Sequence, residues 1–309
     1  MSRLIPGLVD IHVHGVAGLD VMNGEANQIV VELRNRGIEW CCPTTVTASN
    51  EDLQRALGAV DPSTPGFAGI HLEGPFISPN RPGAQTPSEI RRRAATNDYR
   101  ELVRDFGDLI RIVTLAPEVP GCPELARLLS EQGVIVSAGH TDATFEQLQY
   151  CPGIEHMTHF YNAMSPLDHR KPGAVGFGLT QPVRCELIYD RIHVAQPAAR
   201  VLFQAKEPDS VIAISDGTAA SGMPDGWAGV MWGQNVVKRE GSVRLSDGTL
   251  AGSAVTLADV FKFLWQDFGA EIAISACSTS PRKALGLPEP QMWLQVDEQG
   301  TIIEVLDHR

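Results

Sequence analysis

Apolar positions along this chain recur in two rhythms. Short runs of β-branched and other apolar residues, each bounded by Gly or a polar residue, alternate with stretches in which apolar residues return every three or four positions. The first rhythm is that of buried strands, the second that of amphipathic helices. The runs place strands over 8–13, 44–47, 67–72, 110–115, 134–137, 154–158, 186–192 and 211–215. Helical spacing falls between several of them, over 26–36, 52–60, 88–106, 124–131, 145–149 and 196–205. Apolar strands separated by helices imply parallel pairing with crossover helices. Eight such strands favour a closed α/β barrel, the (β/α)8 fold, over an open sheet.

After the eighth run the rhythm changes. Residues 226–248 hold short strand-like pieces at 229–232 and 243–245 separated by Gly and Asp, which predicts a hairpin-bearing insertion. Helical spacing returns over 257–268, and runs at 292–296 and 301–305, split by Asp297-Glu298-Gln299-Gly300, predict a terminal hairpin. No low-complexity linker divides the chain. The expected organisation is a barrel over 6–288 with the insertion inside it, then a short β-hairpin over 289–309. A length of 309 residues suits one barrel with a small appendage.

Composition excludes several function classes. With 43% hydrophobic and 20% charged residues the chain is of ordinary globular type, and no apolar run approaches the ~20 residues a bilayer span requires. Met1-Ser2-Arg3-Leu4-Ile5-Pro6 lacks the apolar stretch of a secretory signal, so a cytoplasmic location is expected. Cys41, Cys42, Cys122, Cys151, Cys185 and Cys277 are scattered without Cys-x-x-Cys spacing, which reads as buried reduced thiols. A net charge of −12 argues against a nucleic-acid partner and leaves any anionic substrate to be held by local groups.

The candidate chemistry starts at His12-Val13-His14, near the end of the first strand. Strand side chains alternate, so residues two apart share a face and their imidazoles can share a metal ion. Polar residues then recur at the C-terminal ends of later strands: Glu73 after the third, His140 after the fifth, His159 after the sixth and Asp216 after the eighth. In an α/β barrel those ends converge on one face, where active sites assemble. Four imidazoles and a carboxylate suit a divalent ion such as zinc, with iron, manganese and cobalt as alternatives, and a second carboxylate left free can move protons. His71, His156 and His308 read instead as hydrogen-bonded core histidines.

The surrounding words narrow the family. Pro6-Gly7-Leu8-Val9-Asp10-Ile11-His12-Val13-His14-Gly15, His71-Leu72-Glu73-Gly74-Pro75-Phe76, Ser137-Ala138-Gly139-His140-Thr141, Thr158-His159-Phe160-Tyr161-Asn162-Ala163-Met164 and Leu250-Ala251-Gly252-Ser253 together resemble the N-acetylglucosamine-6-phosphate deacetylase family of the amidohydrolase superfamily. The resemblance runs from Pro6 to about Leu287. It implies an amidohydrolase-type barrel in which Glu73, His140 and His159 hold a principal metal ion. His12 and His14 would hold a second, weaker one, with Glu73 bridging the pair. Asp216 would be the general acid/base, and Gln85 stands where some relatives have a histidine that bonds the substrate carbonyl. Asn162, Ala163, Arg170 and His193 would bind the phosphate end of a small amino sugar phosphate. Because this arginine often serves the neighbouring subunit's site in the family, a homodimer is expected.

The reaction so implied is hydrolysis of the acetamide of N-acetylglucosamine-6-phosphate, giving glucosamine-6-phosphate and acetate. The alternatives are a deacetylase of an isomer such as N-acetylgalactosamine-6-phosphate, or a barrel that binds a sugar phosphate without turnover. Two departures accompany the resemblance. The family's small β-domain is expected to be reduced to the terminal hairpin. Arg191 also stands where relatives usually carry Gly, and there it reads as an added cation beside the phosphate site.

Overall fold

The computed structural model describes residues 2–94 and 105–307. Eight parallel strands, labelled here in barrel order, form its centre: β1 Leu8–Val13, β2 Ile38–Pro43, β3 Ile70–Glu73, β4 Ile110–Leu115, β5 Ile135–Ala138, β6 Ile154–Met157, β7 Arg184–Ile188 and β8 Val211–Ile214. β3 to β8 pair in chain order as one sheet, and β1 pairs with β2. Bridges Cys41↔Phe67 and Thr44↔His71 join β2 to the β3 region, and Val13↔Gly217 joins β1 to the chain just past β8. The ring is therefore closed, an eight-stranded α/β barrel. A buried apolar cluster takes Val9 and Ile11 from β1, Cys42 from β2, Ile112 from β4, Ile135 from β5, Ile188 from β7, and Ile212 and Ile214 from β8. Residues from opposite sides of the ring meet only through its interior, so this cluster fills the barrel.

Two strands sit elsewhere than the apolar pattern suggests. The second is Ile38–Pro43 rather than 44–47. Glu39 broke the apolar run, yet it is buried and paired to Arg282 at 2.5 Å, while its other oxygen accepts from Gln291 N at 2.8 Å. Thr44 instead leaves the strand and uses its hydroxyl to accept from Val13 N at 3.0 Å. The seventh strand ends at Ile188, not 192. Past it, Asp190 turns the chain by accepting from Ile192 N and His193 N, at 2.8 and 2.7 Å. Of the helix expected over 88–106, residues 95–104 lie outside the described residues, and its start is a 3-10 turn, Pro87–Glu89.

The helix Gly173–Thr180 gave no helical signal because three of its eight residues are glycine, the weakest ordinary helix former. Gly178 is fixed by packing, since a Cβ there would stand 2.3 Å from the Phe160 ring. The insertion is a four-stranded antiparallel sheet, Ala228–Met231, Gln234–Arg239, Ser242–Leu245 and Leu250–Ser253, so it runs beyond residue 248. Its last strand returns to the barrel, where Ser253 N donates to Asp216 O at 2.8 Å. The terminal hairpin Met292–Val296 and Ile302–Asp307 gains a third strand, Arg3–Pro6. The six cysteines are free and buried. Among the described residues no helix is long and apolar enough to cross a membrane.

Candidate active site

His12 lies in β1 and His14 just past it; Glu73 ends β3; His140, His159 and Asp216 each follow their strands by two residues. All six are buried. Glu73 Oε1 lies 3.1 Å from His159 Nε2 and 3.3 Å from His140 Nε2, and the two imidazole nitrogens are 3.0 Å apart. Asp216 Oδ1 lies 3.2 Å from His14 Nε2 and 3.3 Å from His12 Nε2, with those nitrogens 3.2 Å apart. Two ligand groups thus stand side by side, Glu73/His140/His159 and His12/His14/Asp216. Glu73 reaches both, its Oε1 3.5 Å from His12 and its Oε2 3.6 Å from His14. The backbones of His140, His159 and Asp216 are left-handed, with φ of 45°, 32° and 47°. Such strain costs about 1–3 kcal/mol per residue and clusters at functional sites.

The far side of each ring says what the near side can bind. His14 Nδ1 faces Thr44 O at 3.0 Å, His140 Nδ1 faces Arg81 O at 2.9 Å and His159 Nδ1 faces Asn162 O at 3.2 Å. A carbonyl can only accept, so each Nδ1 carries the proton and each Nε2 turns a lone pair inward. His12 follows the same rule with a different anchor, its Nδ1 lying 3.2 Å from Glu186 Oε2. Four lone pairs and two carboxylates then converge with no donor among them, an arrangement that a divalent cation with nitrogen and oxygen ligands satisfies. The surrounding carboxylates likewise call for positive charge at this place. Burial by itself would lower the basicity of His12, but Glu73, Glu186 and Asp216 outweigh it and push its pKa up to about 10. Glu73 is held well below the usual carboxylate range despite burial, because His140, His12 and His159 surround it.

A third possible group, His12/His71/Glu186, is not metal-shaped. Both His71 nitrogens are occupied, Nδ1 by Ile11 O at 3.0 Å and Nε2 by Thr114 Oγ1 at 2.7 Å. Burial, then repulsion from His12, push its pKa down to about 3, so it is a neutral core histidine. His156 is also buried, but among the described residues its ring nitrogens find no hydrogen-bond partner, Glu186 Oε1 standing 3.6 Å away. His308 lies outside the described residues.

Glu186 was not singled out from sequence. The available signal was a carboxylate within a buried strand, Cys185-Glu186-Leu187-Ile188, which burial penalises unless the charge is compensated.

Gln85 joins the cluster: its amide donates to Glu73 Oε2 and its oxygen accepts from Thr47 N at 2.7 Å. Asn162 contributes the carbonyl that orients His159, and Ala163 O accepts from Thr141 N at 3.0 Å. Arg170 and Lys171 are exposed on a loop whose backbone is held by Asp168 Oδ1, at 2.9 and 3.2 Å. They line a cleft of about 550 Å³ that also includes Arg81 and Ser165. His193 is pinned to Asp190, Nδ1 to Oδ2 at 2.6 Å. No described hydrogen bond or ring contact joins Arg170 or His193 to the histidine cluster. Trp232, in the turn between the first two strands of the inserted sheet, stands against His14, ring centroids 5.2 Å apart, and lines a second cavity of about 360 Å³.

Arg191 has partners of its own within the chain. Its Nε and Nη2 each bond Asp267 at 2.8 Å, and its guanidinium lies 4.6 Å from the Phe263 ring centroid. A guanidinium so paired and stacked is committed to the fold.

The Amidohydrolase family profile matches residues 3–290. N-acetylglucosamine-6-phosphate deacetylase of Bacillus subtilis (strain 168) is 40% identical over 271 residues, which cover 83% of this chain and 68% of that relative. N-acetylgalactosamine-6-phosphate deacetylase of Escherichia coli O157:H7 is 34% identical over 298 residues, covering 92% and 78%. Among solved structures, an alanine variant of N-acetyl-D-glucosamine-6-phosphate deacetylase from Mycobacterium smegmatis, in complex with N-acetyl-D-glucosamine-6-phosphate, matches with a TM-score of 0.93 at 30% identity, covering 99% of this chain and 86% of that one. The chain belongs to the amidohydrolase family and, within it, to the N-acetylglucosamine-6-phosphate deacetylase family.

Proposed function

We propose that the protein hydrolyses the acetamide of N-acetylglucosamine-6-phosphate, giving glucosamine-6-phosphate and acetate, with Glu73, His140 and His159 holding a principal divalent ion and His12 and His14 a second. The observation that carries most weight is the pair of adjacent buried ligand groups, Glu73/His140/His159 and His12/His14/Asp216, with Glu73 Oε2 3.6 Å and Asp216 Oδ1 3.2 Å from the His14 ring. A divalent ion bound there, zinc in our reading, supplies a Lewis acid that polarises the amide carbonyl and makes water a nucleophile at neutral pH. Asp216 accepts the proton of the attacking water and returns it to the leaving amine, as a carboxylate within hydrogen-bond reach can. Gln85 donates its amide hydrogens to the acetyl carbonyl once substrate draws them from Glu73. Arg170, His193, Asn162 and Ala163 hold the phosphate and so fix the position of the amide.

We further propose a homodimer in which Arg170, exposed on its loop, serves the neighbouring site. We assign the barrel to 6–288 and the terminal β-hairpin to 289–309, and place the protein in the cytoplasm. Likeness to the N-acetylgalactosamine-6-phosphate enzyme over 92% of the chain supports the isomeric substrate as a second reading. Acetate release from N-acetylglucosamine-6-phosphate, its galacto isomer and unphosphorylated N-acetylglucosamine, before and after chelation, tests both. Turnover fastest on the first and abolished by chelation is expected. Preference for the galacto isomer selects the second reading, and no acetate from any of the three refutes both.

A further inference from the structure

We propose that Glu186 is a positioning residue for the second metal site, its carboxylate fixing His12 in the ligating tautomer and supplying negative charge behind it. The inference rests on the two-ion reading above. Three of the four converging rings are anchored by neutral backbone carbonyls, of Thr44, Arg81 and Asn162, whereas His12 alone is anchored by a carboxylate, at 3.2 Å. A charged acceptor makes a bond roughly twice as strong as a neutral one, and a carboxylate behind a ligating histidine raises its basicity towards the metal.

The place of Glu186 in the fold sharpens the point. It lies within β7, fully buried, with Oε1 facing His156 at 3.6 Å and Oε2 facing His12. Among the described residues no lysine or arginine forms an ion pair with it. A buried carboxylate without such a partner is costly, and positive charge on the far side of the His12 ring offsets that cost. There is also a division of labour. Glu73 serves the principal group directly, and Asp216 must be free to take and release a proton. Among the described residues Glu186 is the one further carboxylate bonded to a ligand ring, and it stands behind His12 on the side away from Asp216, which faces Nε2.

The test is metal binding by Glu186→Gln, which keeps the shape and an accepting oxygen for His12 but removes the charge. Chelated protein is titrated with Zn2+ and, separately, with Co2+, following affinity by competition and Co2+ absorption. Wild type is expected to take up one tight and one weaker ion. In the variant the tight ion should stay within about threefold, while the weaker one loses roughly 10- to 100-fold and its Co2+ band changes. Two ions bound with unchanged affinities would overturn the role of Glu186 alone. Equal loss at both sites would overturn it too, by showing a general structural effect. A wild type that takes up one ion only would overturn the two-ion reading, and this inference with it. Should Glu186→Gln fail to fold, Glu186→Asp, whose carboxylate retreats from His12, is held to the same criterion: selective loss at the weaker site supports the proposal, and equal or absent loss overturns it.

Discussion

Replacing Asp216 by asparagine separates proton transfer from almost everything else at the site. The residue is left-handed at φ 47°, a conformation that asparagine tolerates well, so the backbone has no reason to move. Its main-chain bonds, Asp216 N to His12 O at 3.0 Å and Ser253 N to Asp216 O at 2.8 Å, are unaffected by the change. What disappears is a carboxylate able to accept a proton, a contribution of typically ~10²–10⁴ in rate, or about 2.7–5.4 kcal/mol of barrier. Because Asp216 Oδ1 also lies 3.2–3.3 Å from His14 and His12, the second ion should bind more weakly, while the principal group, which does not include Asp216, keeps its ion. Steady-state acetate release with metal analysis of the same preparation reads both effects. A variant retaining more than about a tenth of wild-type kcat, well outside that range, would remove Asp216 as the shuttle. Loss of the principal ion would make it a ligand first, and the base would have to be sought elsewhere.

Three further substitutions probe the proposed site and the fold around it. His159→Ala should empty the principal site, and elemental analysis finding wild-type metal content would show the ligand assignment to be wrong. Arg170→Ala should raise KM for the phosphorylated substrate more than for its unphosphorylated analogue, by roughly 1.5–3 kcal/mol as charge-assisted bonds contribute; equal effects on both would end its phosphate role. Asp190 is held below its ordinary value of 3.8, since bonds from His193 and Ile192 N outweigh the opposing effect of burial. A depressed carboxylate contributes stability that is full above that value and lost as pH falls through the folded one. Asp190→Asn should therefore flatten the loss of Tm on acidification below about pH 4, and an acid limb as steep as wild type's would contradict the assignment.

The barrel is legible because its strands are buried on both faces and so read as largely apolar runs, several of them followed by a polar residue. Glu73, His140, His159 and Asp216 could be found that way, and His12 with His14 by their spacing. Errors arose where a buried charge interrupted a run. Glu39 hid β2 although its partner Arg282, distant in sequence, makes it a core residue. Glu186 sits inside a run that reads as a strand, and nothing local reveals its partner His12, 174 positions away. Arg191 reads from sequence as a cation with no evident partner, because Asp267 and Phe263, which pair with it and stack on it, belong to a helix far along the chain. Local pattern reports the period of an element and where it stops. It does not report which buried charges neutralise one another across the barrel.

The left-handed backbones at His140, His159 and Asp216 put selection for durability and selection for chemistry in opposition. Glycine adopts that conformation without penalty, so glycine at any of the three would relieve strain while deleting a functional side chain. A library screened only for survival on heating should accumulate substitutions at these positions early, yielding sturdier barrels with damaged sites. Thermostabilisation of this protein therefore requires that activity or metal uptake be scored in every round.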